Sequence, residues 1–230
     1  MLEVAESLFA SKGFDNTTIR EIAREARVGV GTVYEYFPDK KSLLFAIPTV
    51  RIKELVEQLN ECLYVVPGAL DKLRKLVHFF LSYYQKNTNF ARLMYLVMVP
   101  YQEWRHSPTY QLARSLTNIL SAILREGQEQ GLIRNDVDVR LMRNLYLGAI
   151  ERLTVSWLLG SKGYNLVDVS EGLAQLLINA VKKLPEQKVI MDCPMIRKQR
   201  LNSQADQSKS MAGHQNSVDV KPLKRLRRVR

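Results

Sequence analysis

Thr17-Thr18-Ile19-Arg20-Glu21-Ile22-Ala23-Arg24-Glu25-Ala26-Arg27-Val28-Gly29-Val30-Gly31-Thr32-Val33-Tyr34-Glu35-Tyr36-Phe37 reads as two short helices joined by a tight turn. Thr18 and Glu21 have capping-box spacing, so hydroxyl and carboxylate would satisfy free amides of the first turn. Ile19, Ile22, Ala23 and Ala26 then make one buried stripe of a helix over 18–26. Arg27-Val28-Gly29 breaks the pattern, and a third helix follows over 30–37. Val33 and Phe37 lie four apart and face inward, which leaves the hydroxyls of Tyr34 and Tyr36 at the flanks. Gly31 and Thr32 are small enough for a groove to come close. This is the unit that places one helix in a DNA major groove. The same pattern would also suit any small three-helix bundle with Tyr34 and Tyr36 as surface residues. Local charge does not decide, because residues 1–47 carry six basic and seven acidic side chains.

Upstream, Ala5, Leu8 and Phe9 mark one face of a first helix that ends at Lys12-Gly13, with Gly13 suited to a left-handed cap. Downstream, Pro38 breaks the chain and Asp39 caps a fourth helix starting at Lys40, an amide-rich terminus where the Lys40 charge suits phosphate. Pro48 is expected to interrupt that helix. Apolar residues then recur at helical spacing over 51–66, 70–86, 90–99, 109–130, 137–160 and 167–184, with an irregular stretch at 100–108. The fold class is all-α. The expected domains are a helix-turn-helix head (1–47), a larger helical body (48–185) and a disordered basic tail (186–230).

Composition narrows the rest. Of 34 basic and 23 acidic residues, eleven and four fall in 186–230, so most of the +11 charge sits in the tail. Its end, 221–230, could add nonspecific DNA affinity, touch anionic lipid or simply be solvated. The longest uncharged runs, such as 153–161, are too short for stable membrane insertion. The acidic start does not look like a secretory signal, so a cytoplasmic location is expected. Cys62 and Cys193 build no disulfide framework, and His78, His106 and His214 have no metal-ligand spacing. No nucleotide loop or catalytic triad motif is present, so an enzyme is not expected.

Leu8-Phe9, Lys12-Gly13-Phe14, Thr17 to Ala23, and Gly31-Thr32-Val33-Tyr34 through Lys40 to Leu43 resemble the DNA-binding head of the TetR/AcrR regulator family. The resemblance covers nearly all of residues 2–45 without gaps. It implies a homodimeric, all-helical transcription factor, by default a repressor released by a small ligand. It places the contacts to double-stranded operator DNA on Thr18, Gly31, Thr32, Tyr34, Tyr36 and Lys40, and Thr17, beside Thr18 at the amide-rich start of the second helix, joins the candidate set. Three departures stand out. Family members usually carry several more residues, often basic, before helix one, so phosphate contacts from such a segment are expected to be missing. Arg27 occupies a turn position that is usually Gly, at a cost of about 1 kcal/mol for positive φ. Pro48 interrupts the helix that joins the two domains.

In the family the last two helices, here 137–160 and 167–184, pair with their copies. Gly148, Ala149 and Ser156 would permit close approach, and Leu145, Ile150, Leu153, Leu173, Leu176, Leu177 and Ile178 would supply apolar area. The same stripes could instead close the monomer core. A dimer would read a pseudo-palindromic operator with recognition helices about 34–36 Å apart. Aromatics and methionines of the middle helices, from Phe79 to Tyr110 and including Tyr101, suggest either a ligand pocket or plain core. The pocket candidates are Tyr84, Met94, Met98, Trp104 and Arg105, the last as partner for a phosphate or carboxylate. A narrower likeness, in 123–133, Asp138 to Leu141, Gly148 to Trp157 and Tyr164-x-Leu166, is to the branch that controls fatty-acid degradation and senses long-chain acyl-CoA. That branch implies acyl-CoA as effector and no other cofactor. Multidrug-type regulators with aromatic pockets, for aromatic or cationic compounds, are the competing branch. An all-helical lipid-binding protein without DNA function is a further alternative.

Overall fold

The computed structural model describes residues 1–99, 102–160 and 165–183. The expected tail at 186–230, with Cys193 and His214, and the positions of Tyr101 and Tyr164 lie outside the described residues. Nine α-helices run in order through the described residues, and the only β pairing there is one isolated bridge, Ile133 to Lys182.

The head consists of α1 (Leu2–Lys12), α2 (Ile19–Glu25) and α3 (Val30–Tyr36), followed by the start of α4 (Lys40–Tyr64). Ala5, Phe9, Ile22, Val33, Leu43 and Leu44 are all fully buried, so one small core serves all four helices. The caps form as read. The Glu21 amide donates to Thr18 Oγ1 at 3.2 Å, and the Ser42 amide donates to an Asp39 carboxylate oxygen at 2.6 Å. Gly13 closes α1 with φ +82°, and Arg27 sits in the α2–α3 turn at φ +55°. The latter is the strained conformation expected for a residue in a glycine position.

Helix α4 does not stop at Pro48. It continues for 25 residues with Pro48 buried inside it. Proline removes an amide donor and crowds the preceding turn. The expected interruption does not occur. Beside the proline, the Thr49 and Thr109 hydroxyls meet each other at 2.7 Å and lie 2.8 and 3.2 Å from the Phe45 carbonyl, a hydrogen-bonded group that ties α4 to α7.

The body is built from α4, α5 (Ala69–Lys86), α6 (Thr88–Arg92), α7 (Pro108–Glu129), α8 (Val139–Leu158) and α9 (Ser170–Val181). Helix α5 is its centre and packs against α4, α7, α8 and α9. A wider π turn, Leu93–Met98, extends α6, and a short 3₁₀ turn, Gln102–His106, precedes α7. Gly127 allows the chain after α7 to fold back, because a Cβ there would collide with the Ile133 side chain and stand 3.1 Å from Ala69 Cβ. That fold-back sets Arg134 N–H on the Val181 carbonyl and Lys183 N–H on the Leu132 carbonyl, which ties the end of α9 to the end of α7.

Candidate nucleic-acid interface and ligand cavity

The second helix of the turn, α3, shows solvent one side of itself. Val33 packs inward, while Gly31, Thr32, Tyr34 and Tyr36 are exposed, the tyrosines to 52% and 70%. A side chain at Gly31 would meet nothing within 4 Å, so that position is open for reasons outside the fold's own packing. Thr18 is exposed at the start of α2, and its hydroxyl accepts from the Glu21 amide. Lys12 and the Thr18 amide hold the Glu21 carboxyl below its usual range, the Lys12 hydrogen bond acting most strongly.

Two expected contacts sit elsewhere. Thr17 is fully buried, and its hydroxyl donates to the Gly13 carbonyl at 2.8 Å. It closes the end of α1 and leaves the contact set. Lys40 is half-buried and turned inward: its ammonium donates to the carbonyls of Phe14 at 2.8 Å and Thr17 at 2.9 Å, with Asp15 at 3.4 Å. It also lies 4.3 Å from the centre of the Phe14 ring. The free charge expected at the start of α4 is therefore already engaged.

The body encloses a cavity of about 220 Å³ between α4, α5, α6, α7 and α8. Its walls are Ile52, Leu55, Phe80, Phe90, Met94, Ala113, Leu116, Leu147 and Ile150, with Tyr84, Tyr95, Thr117 and Glu151 as the polar members. Glu151 is the one exposed residue of the lining and marks its solvent side. Tyr84 and Tyr95 meet edge to face at 5.3 Å. Burial pushes the Tyr84 hydroxyl up to about 12 and the Tyr95 hydroxyl upward as well. Both stay neutral and offer a ligand hydrogen bonds rather than charge.

Of the five residues expected to line a pocket, Tyr84 and Met94 do so. Met98 is fully buried but is not part of the lining. It ends the π turn, in which the Val99 N–H donates to Met94 O, five residues back. Trp104 packs edge to face on Tyr110 at 5.9 Å, outside the lining. Arg105 is exposed on the short 3₁₀ turn and reaches no cavity wall. Sequence reasoning missed Glu151, Thr117 and the aliphatic walls from α7 and α8, which carry no signature beyond helical spacing.

The outer faces of α8 and α9 carry exposed leucines among polar residues: Leu141 and Leu145 on α8 and Leu176 on α9, the last to 71%. Gly148 and Gly172 have open space where a side chain would be. Ile150, Leu177 and Ile178, expected at a pairing face, are instead buried in the monomer. Helix α9 is tied to α5 by a polar chain in which Ser170 Oγ meets His78 Nδ1 at 2.6 Å and His78 Nε2 meets Glu171 at 2.8 Å. Arg74 also bonds Glu171. Among the described residues there is no cluster of metal-ligating side chains and no helix long and apolar enough to cross a membrane.

An exposed recognition helix on an all-helical body with an apolar chamber defines a ligand-responsive DNA-binding regulator. Residues 1–47 match the family described as bacterial regulatory proteins, tetR family, and residues 49–180 match the YsiA-like protein C-terminal region, so the chain belongs to the tetR family. It is 25% identical over 181 residues to the fatty acid metabolism regulator protein of Bacillus subtilis, spanning 79% of this chain and 93% of that one. The crystal structure of the transcriptional regulator FadR from Bacillus subtilis in complex with stearoyl-CoA has 27% identity and a TM-score of 0.73, covering 77% of this chain and 95% of that one. The fatty acid degradation regulator FadR from Bacillus halodurans shares the fold, with 22% identity and a TM-score of 0.71 over 77% of this chain and 95% of that one.

Proposed function

We propose that this chain is a homodimeric repressor, acting on DNA in the bacterial cytoplasm, whose operator binding is relieved by a long-chain fatty acyl-CoA. The observation that carries the effector class is the cavity lining: nine apolar residues and no cation. Such a lining takes an alkyl chain and leaves an anionic headgroup outside, because burying an unpaired phosphate is prohibitive. The relative with 27% identity holds stearoyl-CoA, which supports the same class. At about 220 Å³ the cavity is below the roughly 300–1,000 Å³ of most ligand pockets, so the chain must open it on entry.

Thr18, Gly31, Thr32, Tyr34 and Tyr36 form the DNA-contacting set, with α3 in the major groove and the tyrosine hydroxyls on phosphate. Dimerisation uses α8 and α9, with Leu141, Leu145 and Leu176 buried against the second copy and Gly148 and Gly172 allowing close approach. No catalytic step is involved: Ser170 is fully buried and its hydroxyl also donates to the Val167 carbonyl, so the Ser170–His78–Glu171 chain is a structural tie.

One observation favours a second reading. Glu151 is the only charge on the cavity wall, and a carboxylate beside aromatic rings suits a cationic aromatic compound. Fluorescence anisotropy on duplexes from upstream of this protein's gene tests both. Specific binding abolished by stearoyl-CoA and untouched by free CoA supports the acyl reading. Release by a cationic dye alone replaces it with the second. Release by neither removes both effectors and leaves the DNA-binding assignment standing.

A further inference from the structure

We infer that Lys40 pins the two ends of the helix-turn-helix together and supports operator reading as a positioning residue, without touching phosphate. The inference deepens the DNA-binding reading of α2 and α3 and rests on it. Lys40 is the first residue of α4 and follows α3 by only the Phe37-Pro38-Asp39 turn. Its ammonium donates to the Thr17 carbonyl at 2.9 Å, immediately before the Thr18 cap of α2. One side chain thus closes residues 17–40 into a ring that contains both helices of the motif. The Phe14 carbonyl at 2.8 Å, the Asp15 carbonyl at 3.4 Å and the Phe14 ring at 4.3 Å hold it from the other side.

An ammonium has three donors, and here three carbonyls converge on it. Reaching a phosphate would strip those carbonyls of their partner. The site also selects the ammonium over a guanidinium. Lys is a compact point charge, whereas Arg presents a planar fork that cannot converge on three carbonyls around one point. A phosphate contact, by contrast, accepts either residue.

Lys40→Met and Lys40→Arg, each checked for an intact dimer and helical content, separate these roles. Operator and scrambled-duplex affinities are measured from low to moderate salt. For a positioning residue, both variants lose about tenfold or more in operator affinity, the worth of one charge-assisted hydrogen bond. Scrambled-duplex affinity stays within about twofold, and the slope of log K against log salt is unchanged. A phosphate contact predicts a slope reduced by about 1 in Lys40→Met and affinity retained in Lys40→Arg, and either result overturns the inference. A general loss of stability would lower both duplex affinities together, which also overturns it. Hydrogen exchange of the free protein gives a readout that needs no DNA. The Thr17 amide, bonded to the Phe14 carbonyl at 3.3 Å, exchanges about tenfold faster in both variants. Unchanged exchange there overturns the inference even if DNA binding falls.

Discussion

Replacing Arg51 by Met strands a buried carboxylate at the junction between head and body. Glu6 of α1 retains only 7% of its side-chain exposure, and Arg51 Nε of α4 sits 3.0 Å from it. Burial alone would lower the Arg51 pKa, but Glu6, together with Tyr83 and Glu54, more than offsets this and raises it. Removing one partner of a buried pair costs roughly 3–5 kcal/mol, because the remaining charge has lost its solvent and its counterion.

The converse change is milder. In Glu6→Gln, Arg51 stays partly exposed, at 27%, and keeps Glu54 at 3.6 Å. Its cost is about 1 kcal/mol, and adding it to Arg51→Met recovers more than half of the loss, since a neutral pair strands nothing. Thermal unfolding at one protomer concentration and neutral pH is the assay. For a chain of this size, roughly 3–5 kcal/mol corresponds to about 6–20 °C in Tm. Equal losses in the two single variants, or no recovery in the double variant, would refute the buried-charge reasoning.

Tyr146 is fully buried with a hydroxyl that has no hydrogen-bond partner among the described residues, so Tyr146→Phe is expected to stabilise the protein by about 1–2 kcal/mol in denaturant unfolding; a loss of stability would mean that the hydroxyl is satisfied. Tyr36→Phe removes an exposed hydroxyl and should weaken operator binding by about 1 kcal/mol, with dimer and effector affinity unchanged; equal binding takes Tyr36 out of the contact set. Leu145→Glu with Leu176→Glu puts charge on the proposed pairing face and should yield monomers by analytical ultracentrifugation; a persisting dimer would place the interface elsewhere. The Ser42 amide and hydroxyl hold the Asp39 carboxyl below its usual 3.8, so its capping contribution is present above that pH and is lost as pH falls through the lower folded value. Asp39→Ala should lower Tm at neutral pH and flatten the decline below pH 4, and an unchanged acid profile would remove the cap from the account.

The head was legible because its signals are local. A cap needs only a hydroxyl or carboxylate at the right spacing, and Thr18 and Asp39 make the bonds their positions imply. Arg27 adopts the strained turn because the stripes of α2 and α3 must both face the core, whatever residue sits between them. What spacing does not give is the direction of a side chain at a helix end. Thr17 and Thr18 are neighbours, yet one bonds inward to Gly13 and the other caps outward. Lys40 could face solvent or carbonyls, and only the packing of α1 on α4 decides. In the body, helical period finds the inward faces but not which inward residue borders a cavity: Met94 and Met98 share the π turn at Leu93–Met98, yet only Met94 lines the cavity. Pro48 shows its cost in the sequence, but the packing that carries α4 through it to Tyr64 leaves no local signal.

Helix α4 is the physical link between effector and operator. Its first residue, Lys40, is bonded to the head, and Ile52 and Leu55 form part of the cavity wall. Between them lies Pro48, where the helix has one amide fewer and is braced by Thr109 at the start of α7. Helix α7 in turn contributes Ala113, Leu116 and Thr117 to the cavity. A ligand that widens an undersized cavity must displace one or more of the five helices around it, and two of them, α4 and α7, are hydrogen-bonded together at the Phe45 carbonyl. The required energy is modest. A 100-fold loss of operator affinity is about 2.7 kcal/mol of coupling, within the usual range for allosteric sites and comparable to a few hydroxyl hydrogen bonds. By linkage the same factor weakens the effector on the operator-bound protein. That amount is within reach of a rearrangement of the Phe45, Thr49 and Thr109 hydrogen bonds that join α4 to α7.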